Sequence, residues 1–267
     1  MSDRVSIDIE NHVATVMLDR AEKHNAVDMA MFEALAGAGD SIKNDPSVRA
    51  VVLHGAGKNF CSGIDVSVFA GDGIGAVGEK LMDPREHSTA NIFQSAAWVW
   101  QEVQVPVIAA LQGVVFGAGL QIALGADIRY ASPDVRMSIM EIKWGIIPDM
   151  AISCTARHLM TGDRLKELAF TGCILGGAEA LDAGLVTTLD DDPLQAAQSL
   201  AGEIAGRSPD AIRAIKKLVD ECWQTDAAAA MRLEADLQES VMGGANQMEA
   251  VAANLEKRAP DFRDPKS

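Results

Sequence analysis

Cysteine is sparse in this chain, and the four that occur, Cys61, Cys154, Cys173 and Cys222, stand far apart. No two form a C-x-x-C pair and no histidine lies at metal-ligand spacing, so neither a disulfide framework nor a metal site is signalled. They read as reduced thiols in or near the core. Cations are also in short supply: 23 Lys and Arg face 38 Asp and Glu, a formal charge of −15. Such a field repels polyanions unless a basic patch is concentrated locally, which argues against nucleic acid as a partner. No apolar run reaches the ~18–20 residues that span a bilayer, and the opening MSDRVSIDIENHVATVMLDR has no basic, apolar and small-residue succession of a leader. The expectation is a cytoplasmic protein without a membrane partner. What the chain does have is apolar residues: 48% of 267 is ample for a large buried core.

VSIDI alternates apolar and polar residues and HVATVMLD comes next across Glu10-Asn11, which predicts a β-hairpin. From Met29 to Lys43, Met31, Leu35, Ala38 and Ile42 recur at helical spacing behind Asp28, a candidate N-cap. RAVVLHG, PVIAALQG and ADIRYAS read as further strands with helical segments between them, the pattern of right-handed β-α-β units. Between Val66 and Thr89 the sequence is Gly-rich, charged and aperiodic: a surface loop over a pocket, or a tolerated insertion. Beyond Ser208-Pro209, a cap followed by proline, three helical patterns run without a strand. The chain therefore divides into a core over 1–205 and a helical region over 206–267.

The run GVVFGAGLQIALGAD at 113–127 carries the first chemical question. A dinucleotide loop needs a third glycine where Ile122 stands, and an acid about 20 residues on, where Asp127 comes too early. The other chemistry is a close backbone approach at a helix N-terminus, where unpaired N–H groups and the helix dipole favour a developing oxyanion. A second donor would come from NFCSGIDV at 59–66, where Asp65 can cap the next turn. Two ordinary tight turns fit the spacing equally well.

LDRAEKHNAVD, GKNFCSGIDV, VPVIAALQGVVFGAGLQIALGADIRYAS, TGDRLKELAFTG, AEALDAGLV and NLEKRAPDF, taken in order, resemble the crotonase, or enoyl-CoA hydratase/isomerase, superfamily nearly end to end. The resemblance implies an α/β spiral of β-β-α units, a C-terminal helical region that builds a homotrimer or dimer of trimers, and an acyl-CoA thioester as the substrate. It implies no separate cofactor and no metal. The two oxyanion donors map onto the backbone N–H groups of Ile64 and Ala118, the latter in place of the family's usual glycine. Lys23 and His24 map onto the stretch along the coenzyme, Ser62 lies near its adenine, and Lys257 approaches CoA from a neighbouring subunit; each lysine can equally be a solvated surface charge.

The side chains choose the reaction, since an enolate needs a base to form and an acid to be reprotonated. The family's hydratases handle water with two glutamates, and the first of these falls on Gln121, an amide that can orient a group but not take a proton. The second is present as Glu141, among Met140, Ile142, Trp144, Ile146 and Ile147, whose apolar character would raise its pKa. Asp149 adds an acid at the position used by the dienoyl-CoA isomerase branch, where Glu141 and Asp149 would pass a proton along a conjugated system. Asp149 can also be a helix cap, and Glu141 a surface acid beside Lys143. His87, in the expected lid, occupies a position used by a dehalogenase branch, or is simply solvated.

The sequence supports three functions, in this order: an acyl-CoA double-bond isomerase, an enoyl-CoA hydratase of fatty-acid or related degradation that relies on Glu141, and a non-catalytic acyl-CoA-binding protein. Pocket length depends on residues such as Phe69, Trp98, Trp100 and Trp144.

Overall fold

The computed structural model describes residues 3–69 and 82–265. The glycine-rich stretch at 70–81 lies outside the described residues, as does the Phe69 side chain. The chain opens with the expected hairpin, β1 (Val5–Glu10) paired antiparallel to β2 (Val13–Leu18). Its turn is Asn11-His12 rather than Glu10-Asn11, because both residues take positive φ, 50° and 68°, which suits the twist of a two-residue hairpin. The helix Met29–Lys43 comes next, with the Asp28 carboxylate accepting from the Met31 N–H at 2.9 Å as its cap.

From there the sheet grows by parallel addition. β3 (Ala50–Gly55) pairs with β2, and β4 (Val107–Leu111) pairs with β3 after the helix Ile92–Glu102 has crossed over. β5 (Val114–Phe116) leaves that sheet and pairs parallel with β7 (Arg136–Ser138), which in turn pairs antiparallel with β8 (Leu175–Gly176). β6 (Ile128–Ala131) and β9 (Thr188–Leu189) complete the first sheet, whose order is β1-β2-β3-β4-β6-β9. A mixed α/β architecture with a mainly parallel sheet is thus in place, as the strand and helix periods implied.

β3 and β4 read as continuous apolar runs because both of their faces are covered. Val51 and Leu53 of β3, with Val107, Ala109 and Leu111 of β4, face the main core, where Phe32, Leu35 and Trp100 are fully buried. The alternate residues Ala50, Val52, Ile108 and Ala110 meet Ala197 and Ala201 of the helix Pro193–Ala205 on the opposite face. Small residues on both partners let that helix lie close to the sheet. Of the cysteines, Cys61 is buried, Cys154 and Cys222 are partly covered, and Cys173 is exposed, so the core reading holds fully only for Cys61.

The three expected C-terminal helices are Pro209–Cys222, Ala227–Val241 and Ala245–Glu256. Pro209 occupies the first helical turn, but the Ser208 hydroxyl does not cap it and is buried without a partner among the described residues. No helix among the described residues is long and apolar enough to cross a membrane.

The helix Pro209–Cys222 is tied to the core by one buried ammonium. Lys216 Nζ donates to Asp127 Oδ2 at 2.7 Å and to the Trp100 carbonyl at 3.2 Å, and the same Asp127 oxygen accepts the Val107 N–H at the head of β4. Lys216→Met keeps the packing of the stem and leaves the carboxylate half-satisfied, so stability should fall by roughly 2–3 kcal/mol, below the range for a fully buried pair because Asp127 is partly exposed. Urea unfolding checks this; an unchanged midpoint would show that the pair does not anchor the helix.

Candidate active site

Two loops leave the C-terminal ends of β3 and β4 and run on side by side. Cys61 bridges Val115 in parallel register: the Cys61 N–H donates to the Val114 carbonyl at 3.1 Å, and the Phe116 N–H to the Cys61 carbonyl at 3.0 Å. Three residues further along each segment stand Ile64 and Ala118, so one register brings both to the same place. Neither N–H donates to any protein group among the described residues. Ala118 opens the helix Ala118–Leu124, whose first N–H groups have no intrahelical acceptor, and it does so without a positive φ.

The glycines flanking Ala118 serve two different needs. Gly117 has φ 51° and ψ −119°, a conformation closed to side chains, and its turn aims the helix start at the neighbouring loop. Gly119 is required by proximity, since a Cβ there would lie 2.6 Å from both the Cys61 Cβ and the Cys61 carbonyl oxygen. The run at 113–127 is therefore a close-approach device.

Glu141 comes after β7 on a short 3-10 turn, Glu141–Trp144, and is buried beneath the Gly117 backbone; a Cβ at Gly117 would sit 3.4 Å from its Oε1. It is not a surface acid paired with Lys143. Its Oε1 accepts from Gln121 Nε2 at 2.6 Å, and Oε2 is buried with no partner among the described residues. Burial pushes its pKa up, the Gln121 donor opposes this, and the nearby charge of Asp149 adds to the rise. Of the apolar neighbours expected around Glu141, Ile142, Trp144, Ile146 and Ile147 are themselves exposed, and the last three line the cavity.

Asp149 is no helix cap. The next helix is a single turn, Ile152–Thr155, whose preceding residue is Ala151 with φ 64° and no side-chain cap. Asp149 opens onto the cavity as an exposed residue, yet the protein wall behind its carboxyl still pushes its pKa above the ordinary aspartate value.

The cavity holds about 860 Å³ and gathers Lys23, Ser62, Ile64, Ala118, Gln121, Glu141 and Asp149 on one lining. Apolar surface from Phe32, Phe93, Phe116, Met140, Trp144 and Ile174 completes it. Several expected residues lie elsewhere. His24 takes φ 54°, hydrogen-bonds Asn59 through its ring and accepts the Ser62 N–H on its carbonyl; it is an exposed residue outside the lining. Lys257 ends the helix Ala245–Glu256 as an exposed residue with φ 54°. Trp100 is buried in the core and Trp98 faces the C-terminal helices, so of the three tryptophans considered for the pocket only Trp144 lines it. His87 is exposed, 3.6 Å from Glu86 and outside the lining.

Two supports of the site escape a reading by motif. Asn25, fully buried with φ 54°, donates from Nδ2 to the carbonyls of Ala56, Asn59 and Phe60 and accepts the Arg20 N–H, stitching the turn at 20–25 to the loop at 56–60. Arg20 donates to Asp65 Oδ2 at 2.7 Å, and the Ser67 N–H and hydroxyl together with Arg20 hold the Asp65 pKa down to about 2. Asp65 thus turns the loop after Ile64, as expected of a cap, and stays a structural anion. An asparagine in a polar turn before a strand-like stretch was the available signal for Asn25.

Residues 8–265 match the family model described as enoyl-CoA hydratase/isomerase. A probable enoyl-CoA hydratase of Mycobacterium tuberculosis is 27% identical over 263 residues, covering 97% of this chain and 98% of that one. A mitochondrial Delta(3,5)-Delta(2,4)-dienoyl-CoA isomerase of Mus musculus is 31% identical over 265 residues, covering 93% of this chain and 78% of that one. Among solved structures, an enoyl-CoA hydratase from Bacillus anthracis superposes with a TM-score of 0.89 at 27% identity, over 98% of this chain and 100% of that one.

The contact between the two loops can be checked without a substrate. Cys61 Sγ lies against the Asn25 carbonyl at 3.0 Å, and burial pushes its thiol up to about 12. In native protein at pH 8, iodoacetamide should modify the exposed Cys173 and leave Cys61 untouched until denaturant is added. Peptide mass mapping reads the outcome, and rapid native alkylation of Cys61 would show that the loops are not held together as described.

Proposed function

The chain belongs to the enoyl-CoA hydratase/isomerase family, and from that premise we propose that it is an acyl-CoA double-bond isomerase of the dienoyl-CoA isomerase type. One observation carries the choice: Asp149 opens onto the cavity beside Glu141 and caps nothing, while position 121 holds an amide in place of a second water-handling glutamate.

The chemistry divides between backbone and side chains. The thioester oxygen would lie between the N–H groups of Ile64 and Ala118, which stabilise the enolate as charge moves onto that oxygen. Glu141, as carboxylate, would take the proton from the α-carbon, and the electron pair would spread through the conjugated system. Asp149, as carboxylic acid, would return a proton at the distal carbon. Burial raises both pKa values from their ordinary carboxylate levels, the direction that makes each acid easier to protonate and so better able to return a proton. Exchange with solvent then resets the pair, and substrate and product have equal mass.

The coenzyme would run along Lys23, His24 and Ser62, with no cofactor beyond the CoA of the substrate. Residues 1–205 would supply the thioester site and 206–267 the contacts of a trimer or dimer of trimers. Support for the latter comes from Ile215, Val219, Trp223, Met231 and Leu255, large apolar side chains left exposed on the C-terminal helices. In that assembly Lys257 would approach the coenzyme of a neighbour. A cytoplasmic setting belongs to the same proposal. Hydration of a 2-enoyl thioester is the second reading, favoured by the unpartnered Glu141 Oε2, which could take a proton from water.

A panel of 2-enoyl, 3-enoyl and 3,5-dienoyl thioesters separates the readings by ultraviolet absorbance and mass. The isomerase should shift the dienoyl substrate at constant mass with an acid limb displaced upward from the ordinary glutamate value, since burial raises the Glu141 pKa and leaves it protonated to higher pH. Glu141→Gln should lower kcat by at least ~10², the loss of a general base, and Asp149→Asn should be nearly as damaging. A fast gain of one water on a 2-enoyl thioester, with Asp149→Asn fully active and the dienoyl substrate untouched, would replace the isomerase by the hydratase. Light scattering should give a mass of three or six chains; a stable monomer that binds CoA tightly would remove the shared-site assembly.

A further inference from the structure

The sequence assigns Gln121 to orienting the substrate, but both ends of its amide are already occupied by the protein. It is 1% exposed, on the helix Ala118–Leu124. Its Oε1 accepts the Met150 N–H at 2.8 Å, and its Nε2 donates to Glu141 Oε1 at 2.6 Å. A backbone N–H can only donate, so the amide oxygen must face Met150 and the NH₂ must face the carboxylate. The orientation of Gln121 is therefore fixed by the main chain.

The consequence falls on Glu141. One of its oxygens is held in a short, charge-assisted bond, and the other, buried and unpartnered among the described residues, is the one left to exchange a proton. We propose that Gln121 is a positioning residue for Glu141, a latch set by the Met150 N–H that engages Oε1 as a pure donor and reserves Oε2 for the substrate's proton. The proposal deepens the reading of Glu141 as the proton carrier and rests on it.

A donor at this place also differs in kind from the carboxylate that an acid at 121 would bring. A donor favours the ionised form of Glu141, whereas a second acid 2.6 Å away would have to share a proton with it. The other charged groups around the site are Asp149, which raises the Glu141 pKa, Lys143 on Glu141's own turn, and Lys23 and Asp65 on the cavity lining, with Asp65 neutralised by Arg20. None of these is changed by substitution at 121.

The test is a direct titration of Glu141 by carbon-13 NMR in glutamate-labelled protein without substrate, its signal assigned by its loss in Glu141→Gln. Gln121→Glu is the informative variant, because it keeps the shape and still offers an oxygen to the Met150 N–H while converting the donor into an acid. The Glu141 midpoint should rise by about one unit or more, a tenfold or greater change in proton affinity, and the titration should broaden into two coupled steps. Gln121→Met, which removes the donor without adding an acid, should also raise the midpoint. If Gln121→Met does not fold, Gln121→Glu decides alone. A Glu141 midpoint unmoved in Gln121→Glu would overturn the latch, whichever thioester the enzyme uses. Absence of isomerase activity with the midpoint shifted would instead leave the latch in place and remove the isomerase reading.

Discussion

A single parallel bridge, Cys61 to Val115, sets the geometry on which the rest of the site depends. Parallel strands deliver their C-terminal ends to the same edge of a sheet, and loops leaving that edge are where α/β proteins place their ligands. Here the two loops do more than emerge together. They stay in register long enough for Ile64 and Ala118 to present unpaired N–H groups side by side. A slip of one residue would put Gly63 or Asp65 opposite Ala118, and the Asp65 N–H is already bonded to the Val27 carbonyl at 2.9 Å. The bridge is secured from three directions: the Cys61 thiol on the Asn25 carbonyl, the Asn25 amide on the loop at 56–60, and the Arg20–Asp65 pair beyond.

Much of this was legible where local pattern and tertiary need agree. The apolar runs in β3 and β4, the spacing of Met31, Leu35, Ala38 and Ile42, and the Asp28 cap each survive into the structure because burial demands what local propensity already favours. The glycine run and NFCSGIDV, far apart in the sequence, both contribute residues to the lining of the candidate site. What could not be read was how each side chain is partnered. Gln121 looks like a substrate ligand because nothing in the sequence shows that the Met150 N–H, 29 residues away, claims its oxygen. Asp149 looks like a cap because Pro-Asp is a common helix start, and only the left-handed Ala151 rules that out. Trp98 and Trp100 are candidates for the pocket by size alone, and the helix they sit on turns both away from it.

Electrostatics joins the remaining pieces. The chain carries a formal charge of −15, while the substrate class proposed for it is itself an anion. At physiological salt, fields between exposed charges are damped within about 8 Å, so the groups at the cavity mouth decide approach more than the distant acids do. Lys23 and Lys143 stand on that lining, and the one fixed anion beside them, Asp65, is already balanced by Arg20. Inside, the same scarcity of positive charge works in the opposite direction. No cation pairs with Glu141 or Asp149 among the described residues, so burial raises both carboxyls, the charge of Asp149 adds to the rise at Glu141, and only neutral donors, backbone N–H groups and the Gln121 amide, oppose it. A lysine placed there would hold both acids ionised and leave neither able to return a proton. A neutral donor on one oxygen of one carboxylate separates the two groups without discharging either, and that asymmetry is what a proton-passing pair requires.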